Sequence, residues 1–414
     1  MSDAQVIVTG GGPAGSSTAY FLARAGLDVL LLDRARFPRD KPCSEYMSPQ
    51  ASRILDAMGA LDAVESSGAA QLTGVRVHAP NGATIHGEFI GRHGYRGFRD
   101  RGLAVRRTIL DAILLERARE AGVRVEEGVR VTDVVKDASS RVIGVSASRA
   151  GGSSEPIIAQ MVIGADGLRS VIGRRLGLIR ASRWPRRIAL VTHYRGVQGA
   201  RQFGEMHVDR DGYLGIADVG NGLTNVAVVV PVSRAAEVAA DRAEFLESWI
   251  AERPVIAELF TTAERVDPVR ATGPFASAAR RAWTPGAALV GDAADFFDPF
   301  TGEGIYAALR GGELLATHVA DAFRESGGEA IGDQPLRAYD SARRAEFGGK
   351  WKVERLVGAA VAFPSLINRA ANVLSRRRDM ADLLIGVVGD FVPAREVLRP
   401  GYLLRLVFPS TAAS

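Results

Sequence analysis

The chain has 414 residues, enough for two domains or one large domain with an insertion, and its 47% hydrophobic and 24% charged content is that of an ordinary globular protein. Its formal charge is only +5, and all but four of the 52 basic residues are arginines, mostly scattered as singles and pairs, so no nucleic-acid partner is expected. A single cysteine, Cys43, excludes an internal disulfide and a cysteine-based metal cluster, and fits a reducing cytoplasm.

Val6-Ile7-Val8 is a short apolar run of the kind a buried parallel strand shows, with no signal peptide expected ahead of it. Gly10-Gly11-Gly12-Pro13-Ala14-Gly15 follows, and then a predicted helix through Ala19, Leu22 and Ala23 that stops at Gly26. Val29-Leu30-Leu31-Leu32 is a second buried strand, ending at Asp33 and Arg34. Gly10 permits a tight turn, Gly12 leaves a pyrophosphate room against bare backbone, and Gly15 lets helix and strand pack closely. The helix N-terminus then points its N–H groups and dipole at that pyrophosphate. Asp33 lies 23 positions after Gly10, near the spacing of ~20 at which a carboxylate meets the adenosine ribose. The unit predicts a bound dinucleotide and by itself does not choose between FAD and NAD.

Residues 37–49 read as a loop, and a helix from about Pro49 carries Ile54, Leu55 and Met58. Residues 72–100 alternate around Asn81-Gly82, predicting a hairpin (Val75, Val77; Thr84, Ile85) that belongs to another sheet. An amphipathic helix is predicted over 107–121, then strands near 123–125, 129–135, 142–147 and 161–164. After the last of these stands Gly164-Ala165-Asp166-Gly167, where Asp166 is either a turn residue beside the cofactor or the cap of a helix starting at Leu168. Residues 186–231 read as strands, 234–252 and 255–262 as helices, 287–290 as a buried strand, and the final 70 residues as mostly helical. No apolar run reaches the roughly 18 residues that a spanning helix needs.

One more motif selects the cofactor. Gly291-Asp292-Ala293-Ala294-Asp295 through Pro299, Thr301-Gly302-Glu303-Gly304-Ile305 follows a buried strand and opens a helix at about 302. Asp292 is placed to accept from a ribityl hydroxyl, which a nicotinamide dinucleotide lacks. Gly302 and Gly304 let helix N–H groups reach the isoalloxazine, where they stabilise the negative charge of reduced flavin.

With the three glycine-and-aspartate motifs in this order, the chain resembles the FAD-dependent superfamily of aromatic hydroxylases, geranylgeranyl reductases and flavin-dependent halogenases. Lys41-Pro42-Cys43, the run from Asp292 to Ile305, and Gly312-Glu313-Leu314 place the resemblance nearest the geranylgeranyl-reductase-like branch, over about residues 4–345. It implies a mixed α/β fold: a Rossmann-type FAD-binding domain in three parts (1–72, 102–180, 266–345), an inserted β-sheet substrate domain (73–101, 181–265) and C-terminal helices (346–414). It implies cofactor contacts at Gly10, Gly12, Ala14, Gly15, Asp33, Arg34, Cys43, Ser44, Arg107, Val131, Asp292, Pro299, Gly302, Gly304 and Ile305, and no metal.

Two departures shape the expected activity. The double glycine that prenyl reductases carry after the cysteine is replaced by Ser44-Glu45-Tyr46, and their aromatic substrate segment by Gly212-Tyr213-Leu214-Gly215-Ile216-Ala217. The Trp-x-Trp-x-Ile-Pro halogenase motif is absent. The resemblance therefore implies an NAD(P)H-dependent monooxygenase of secondary metabolism, acting on an apolar or aromatic small molecule. NAD(P)H serves as a transient reductant, because no second glycine cluster is present. The alternatives are a reductase or dehydrogenase acting on carbon–carbon double bonds and a non-catalytic flavin-binding redox protein. The substrate pocket is expected around residues 193–230, with Glu45, Tyr46, His193, His207 and Tyr213 as candidate polar groups. Each also has a structural reading, as does Cys43 as an inert buried thiol. Arg376–Arg378 reads as a solvated helix face, and the C-terminal helices as either a lid or core packing.

Overall fold

The computed structural model describes residues 2–91, 94–149, 152–181, 186–199, 202–327 and 331–407. Two large sheets organise it. In the first, Ala4–Thr9 lies parallel between Val29–Asp33 and Ser154–Gly164, with Val6 opposite both Val29 and Met161. Arg124–Glu127 and Ala287–Leu289 extend it in parallel on the two sides. Parallel strands need cover on both faces, which is why these segments are apolar throughout. Val6, Ile7, Val8 and Leu31 are fully buried. The Pro13–Arg24 helix covers one face and packs against the Gly304–Glu325 helix.

The second sheet runs Glu264–Arg265, Arg187–Arg195, Thr224–Pro231, Gly212–Asp218, Phe203–Asp209, Gly74–His78, Thr84–Glu88. The hairpin around Asn81-Gly82 pairs Val77 with Ile85 and joins this sheet through a parallel pairing with Phe203–Asp209. Strands from residues 74–88 thus meet strands from 187–231 in one sheet, while the first sheet draws on chain segments before, between and after them.

Two local expectations are corrected. The loop over 37–49 contains a short strand, Tyr46–Met47, which pairs with Gly102–Ala104 as part of a small third sheet. The helix expected over 234–252 is two helices, Ala235–Ala240 and Arg242–Ala251. Asp241 is extended between them and accepts from the N–H groups of Ala243 and Glu244, so its side chain caps the second and ends the first.

At the C-terminus the Asp333–Ala362 helix turns by 112° into Pro364–Leu374. Arg378–Val388 then packs on Thr84–Glu88. Among the described residues no single helix is long and apolar enough to cross a membrane.

Candidate active site

The glycine turn after the first strand is built by close contact. Gly10 has φ +100°, and a Cβ there would lie 2.6 Å from the Ala165 carbonyl oxygen; a Cβ on Gly15 would overlap the Gly10 carbonyl. Asp33 accepts from the N–H groups of Gly11 and Ala35, both at 2.7 Å, so its buried carboxylate braces the turn itself.

Gly12 caps the Pro13–Arg24 helix with no side-chain partner, and the first turn carries no acidic residue. A Cβ on Gly12 would stand 3.3 Å from Arg39 Nη2 and 3.6 Å from Arg107 Nη2, so two guanidinium groups face bare backbone there. Arg107 is 3% exposed and donates through Nε and Nη2 to the fully buried Asp111, each at 2.7 Å; Arg39 Nη1 adds a third contact to Asp111 at 2.9 Å. Burial alone would lower the Arg107 pKa, but the Asp111 charge outweighs it and holds the guanidinium firmly ionised.

The second turn comes to the same place. Asp292 sits just after the Ala287–Leu289 strand, and Lys41 Nζ lies 3.6 Å from its Oδ2. Gly302 adopts φ +71° against the Tyr46 ring, which leaves the N-terminus of the Gly304–Glu325 helix open with no side-chain cap and no acid in its first turn. Ala307 is the first residue to bond back, to the Glu303 carbonyl, so the N–H groups of Gly304, Ile305 and Tyr306 have no helical partner.

All of these elements border one cavity of about 390 Å³. Gly12, Ala14, Cys43, Ser44 and Arg107 line it together with Asp292, Pro299, Gly302, Gly304 and Ile305. Beyond that polar end its wall is mostly apolar: Val77, Ile85, Val191, Met206 and Val229 from the second sheet, with Glu205 and Asn225 as polar exceptions, and Val357, Ile367, Leu374, Leu398 and Leu406 from the C-terminal helices. Those helices wall the cavity and also pack on the core, since Val353, Ile367 and Leu374 share a cluster with Val77 and Ile85. Tyr213 lines the cavity too, with its hydroxyl donating to Asp298 Oδ1 at 2.7 Å and Arg187 paired to the same carboxylate.

Several candidate residues lie elsewhere than expected. Glu45 is 1% exposed and faces away from the cavity; it accepts from the Arg107 N–H (2.7 Å) and meets His193 Nε2 (2.7 Å), whose Nδ1 is 2.8 Å from Asp267. Burial pulls the His193 pKa down, but the Glu45 hydrogen bond and charge leave it raised. The Glu45–His193–Asp267 chain therefore pins the 43–46 loop to the second sheet rather than touching substrate. His207 is also off the cavity wall, to which its strand contributes Gly204, Glu205 and Met206. It pairs with Glu205 at 3.2 Å and stacks on His78 at 4.3 Å. His78 Nε2 also lies 3.8 Å from Glu205, so the three side chains bring potential metal-ligand atoms within 4.8 Å of one another.

Asp166 caps no helix at Leu168: the helix is Val171–Arg175, capped by Ser170, and Asp166 accepts from the Val171 N–H at 2.6 Å. The left-handed Gly167 (φ +78°) delays the helix by turning the chain first. Arg34 and Val131 are outside the cavity wall, Arg34 being exposed and Val131 half-buried on the Val129–Lys136 strand.

Sequence reasoning missed the buried acids. Glu303 and Glu354 both line the cavity at its junction with the open helix. Burial raises the Glu303 pKa to about 7 despite the opposing pull of Lys350, 3.8 Å away, and burial likewise pushes Glu354 well up. Lys350 is itself paired with Asp390. A carboxylate between two motif glycines (Gly302-Glu303-Gly304) was the available signal.

The donor set fits FAD: a capless helix N-terminus flanked by two guanidinium groups for the pyrophosphate, a carboxylate at Asp292 for a ribityl hydroxyl, and a second capless N-terminus for the ring. The comparisons agree. Residues 3–348 match the FAD binding domain family. Digeranylgeranylglycerophospholipid reductase 2 of Methanopyrus kandleri is 29% identical over 94% of this chain and 93% of its own length. Menaquinone reductase of Mycobacterium tuberculosis is 29% identical over 94% and 91%. The solved structure of a myxobacterial chondrochloren halogenase superposes with a TM-score of 0.77 at 26% identity, covering 84% of this chain and 81% of that one.

Proposed function

From the premise that this chain belongs to the FAD binding domain family and is an FAD-dependent oxidoreductase, we propose that it reduces a carbon–carbon double bond in an elongated, isoprenoid-type substrate. The observation that carries this reading is the layout of the cavity, with two acids, Glu303 and Glu354, beside the flavin motifs and a mostly aliphatic wall from there to the C-terminal helices. Two relatives named as reductases of a digeranylgeranyl lipid and of a menaquinone support it. The two cavity acids suit reduction, because saturating a double bond needs a proton as well as a hydride, and the two named reductases favour it over the oxygenation that the sequence motifs suggested.

FAD held here, and reduced by NAD(P)H, would be the source of the hydride for one carbon of the bond. Glu303 would donate a proton to the other carbon, and Glu354, which feels its charge and is partly exposed, would return a proton taken up from solvent. Arg39 and Arg107 would hold the pyrophosphate and Asp292 the ribityl chain, while the mostly aliphatic wall would keep water from the reacting carbons. Tyr213, held by Asp298, closes the wall from the second sheet.

A proton donor works only while it holds its proton. Turnover is therefore expected to be highest below about pH 7 and to fall as pH rises through that value. Glu303→Gln is expected to lower kcat by about 10²–10⁴-fold and flatten the alkaline fall, with FAD content unchanged. An undiminished kcat with the same pH profile would remove Glu303 from the mechanism.

A further inference from the structure

Eight large apolar side chains stand out as exposed among the described residues, and five of them belong to the C-terminal helices or their junction: Leu356 (51%), Phe363 (50%), Leu366 (51%), Leu403 (37%) and Leu404 (56%). Their placement is concerted. Leu356 is near the end of Asp333–Ala362, Phe363 is at the 112° corner, and Leu366 is in the first turn of Pro364–Leu374, which packs against Pro400–Val407 with Leu403 and Leu404. Leu356 and Leu403 also line the cavity, so the patch surrounds its far end.

Charge on this surface is one-sided. Residues 351–374 and 391–407 carry Lys352, Arg355, Arg369, Arg395, Arg399 and Arg405, all exposed. Their only carboxylates face inward: Glu354 lines the cavity, and Glu396 is 9% exposed and bonded to Tyr95 and Arg399. That is an excess of four positive charges in a chain whose total is +5. Arg395 and Arg399 both share the single carboxylate of Glu396, so this surface keeps its net positive charge, whereas Arg377 and Arg378 of the arginine triplet are balanced by Asp379, Glu88 and Asp382.

We propose that this face docks the protein peripherally on an anionic lipid bilayer, with Phe363, Leu366 and Leu404 entering the headgroup boundary and the surrounding arginines meeting lipid phosphates. Exposed leucine and phenylalanine ringed by cations is the pattern of an interfacial helix. A second copy of the chain fits the patch poorly, because two like-charged surfaces would be pressed together. The placement complements the isoprenoid reading: a chain-like substrate passes from the acyl layer into the cavity at Leu356 and Leu403 without crossing water.

The test is co-sedimentation of the FAD-loaded full chain with phosphatidylglycerol–phosphatidylcholine vesicles and with pure phosphatidylcholine vesicles. Binding is expected to the anionic vesicles, to weaken at least tenfold as salt is raised, and to be slight on neutral ones. Leu366→Ser/Leu404→Ser lies outside the cavity wall. It is expected to cut anionic-vesicle binding at least tenfold while leaving FAD content and turnover of detergent-dispersed substrate intact. Protein that stays in the supernatant, binds both vesicles equally, or binds undiminished in the double variant would overturn the docking. So would a dimer that the same double variant dissolves. Docking that fails while isoprenoid turnover persists leaves the function above standing, and docking without such turnover removes the function and keeps the surface.

Discussion

Gly15→Val is expected to yield protein without flavin. A Cβ at this position falls on the Gly10 carbonyl, and the Ala165 Cβ is 3.3 Å away on the other side. Neither backbone can yield easily, because Gly10 is itself held in a left-handed conformation against Ala165 and the strand behind it is fully buried. The helix must therefore move off the sheet, and with it the N–H groups that face the pyrophosphate. Overpacking of this kind costs about 1–3 kcal/mol, and the displaced helix end loses its role outright. Flavin per chain after gel filtration should fall by more than tenfold. Retention of a full complement would mean that the close packing of Gly15 is not what positions the cradle.

Arg107→Met is expected to have the largest effect on stability. It leaves Asp111, fully buried, with Arg39 as its remaining cation. Removing one partner of a buried ion pair costs about 3–5 kcal/mol, because the other charge stays in place without compensation. The denaturant midpoint should drop accordingly. Arg107→Met/Asp111→Leu separates the two roles of the arginine: stability should partly return, since no buried carboxylate is stranded and only the less deeply buried Arg39 loses a partner, while FAD affinity stays at least tenfold weakened for want of the Arg107 guanidinium beside Gly12. Restored affinity in the double variant would show that Arg107 acts on the cofactor only by holding the fold.

What could be read from the sequence was local. The first glycine turn, its flanking strands and the run from Gly291 to Ile305 are each contiguous in the chain, and Gly10 and Gly15 answer contacts a few residues away or one strand over. The 107–121 helix and the Asn81-Gly82 hairpin announced themselves by period and turn chemistry. The missed features join distant segments. Glu45 reaches His193 and, through it, Asp267 only because the 43–46 loop folds against the second sheet. Lys350 meets Glu303 and Asp390 only once the C-terminal helices close the cavity. Nothing in the vicinity of these residues marks them as partners. The break at Asp241 is different: Asp241-Arg242-Ala243-Glu244 has the spacing of a helix-capping sequence, and its local signal went unused.

The arrangement of an acid-tipped, aliphatic cavity against a flavin cradle is tested most directly by a single turnover without oxygen. Holoenzyme is reduced, excess reductant is removed, and a digeranylgeranyl lipid or a menaquinone is added under anaerobic conditions. The expected result is reoxidation of the flavin with one double bond saturated per flavin, read by mass spectrometry as a gain of two hydrogens. Product that forms only after oxygen is admitted, and that carries an added oxygen atom, would contradict the reading and make the protein an oxygenase.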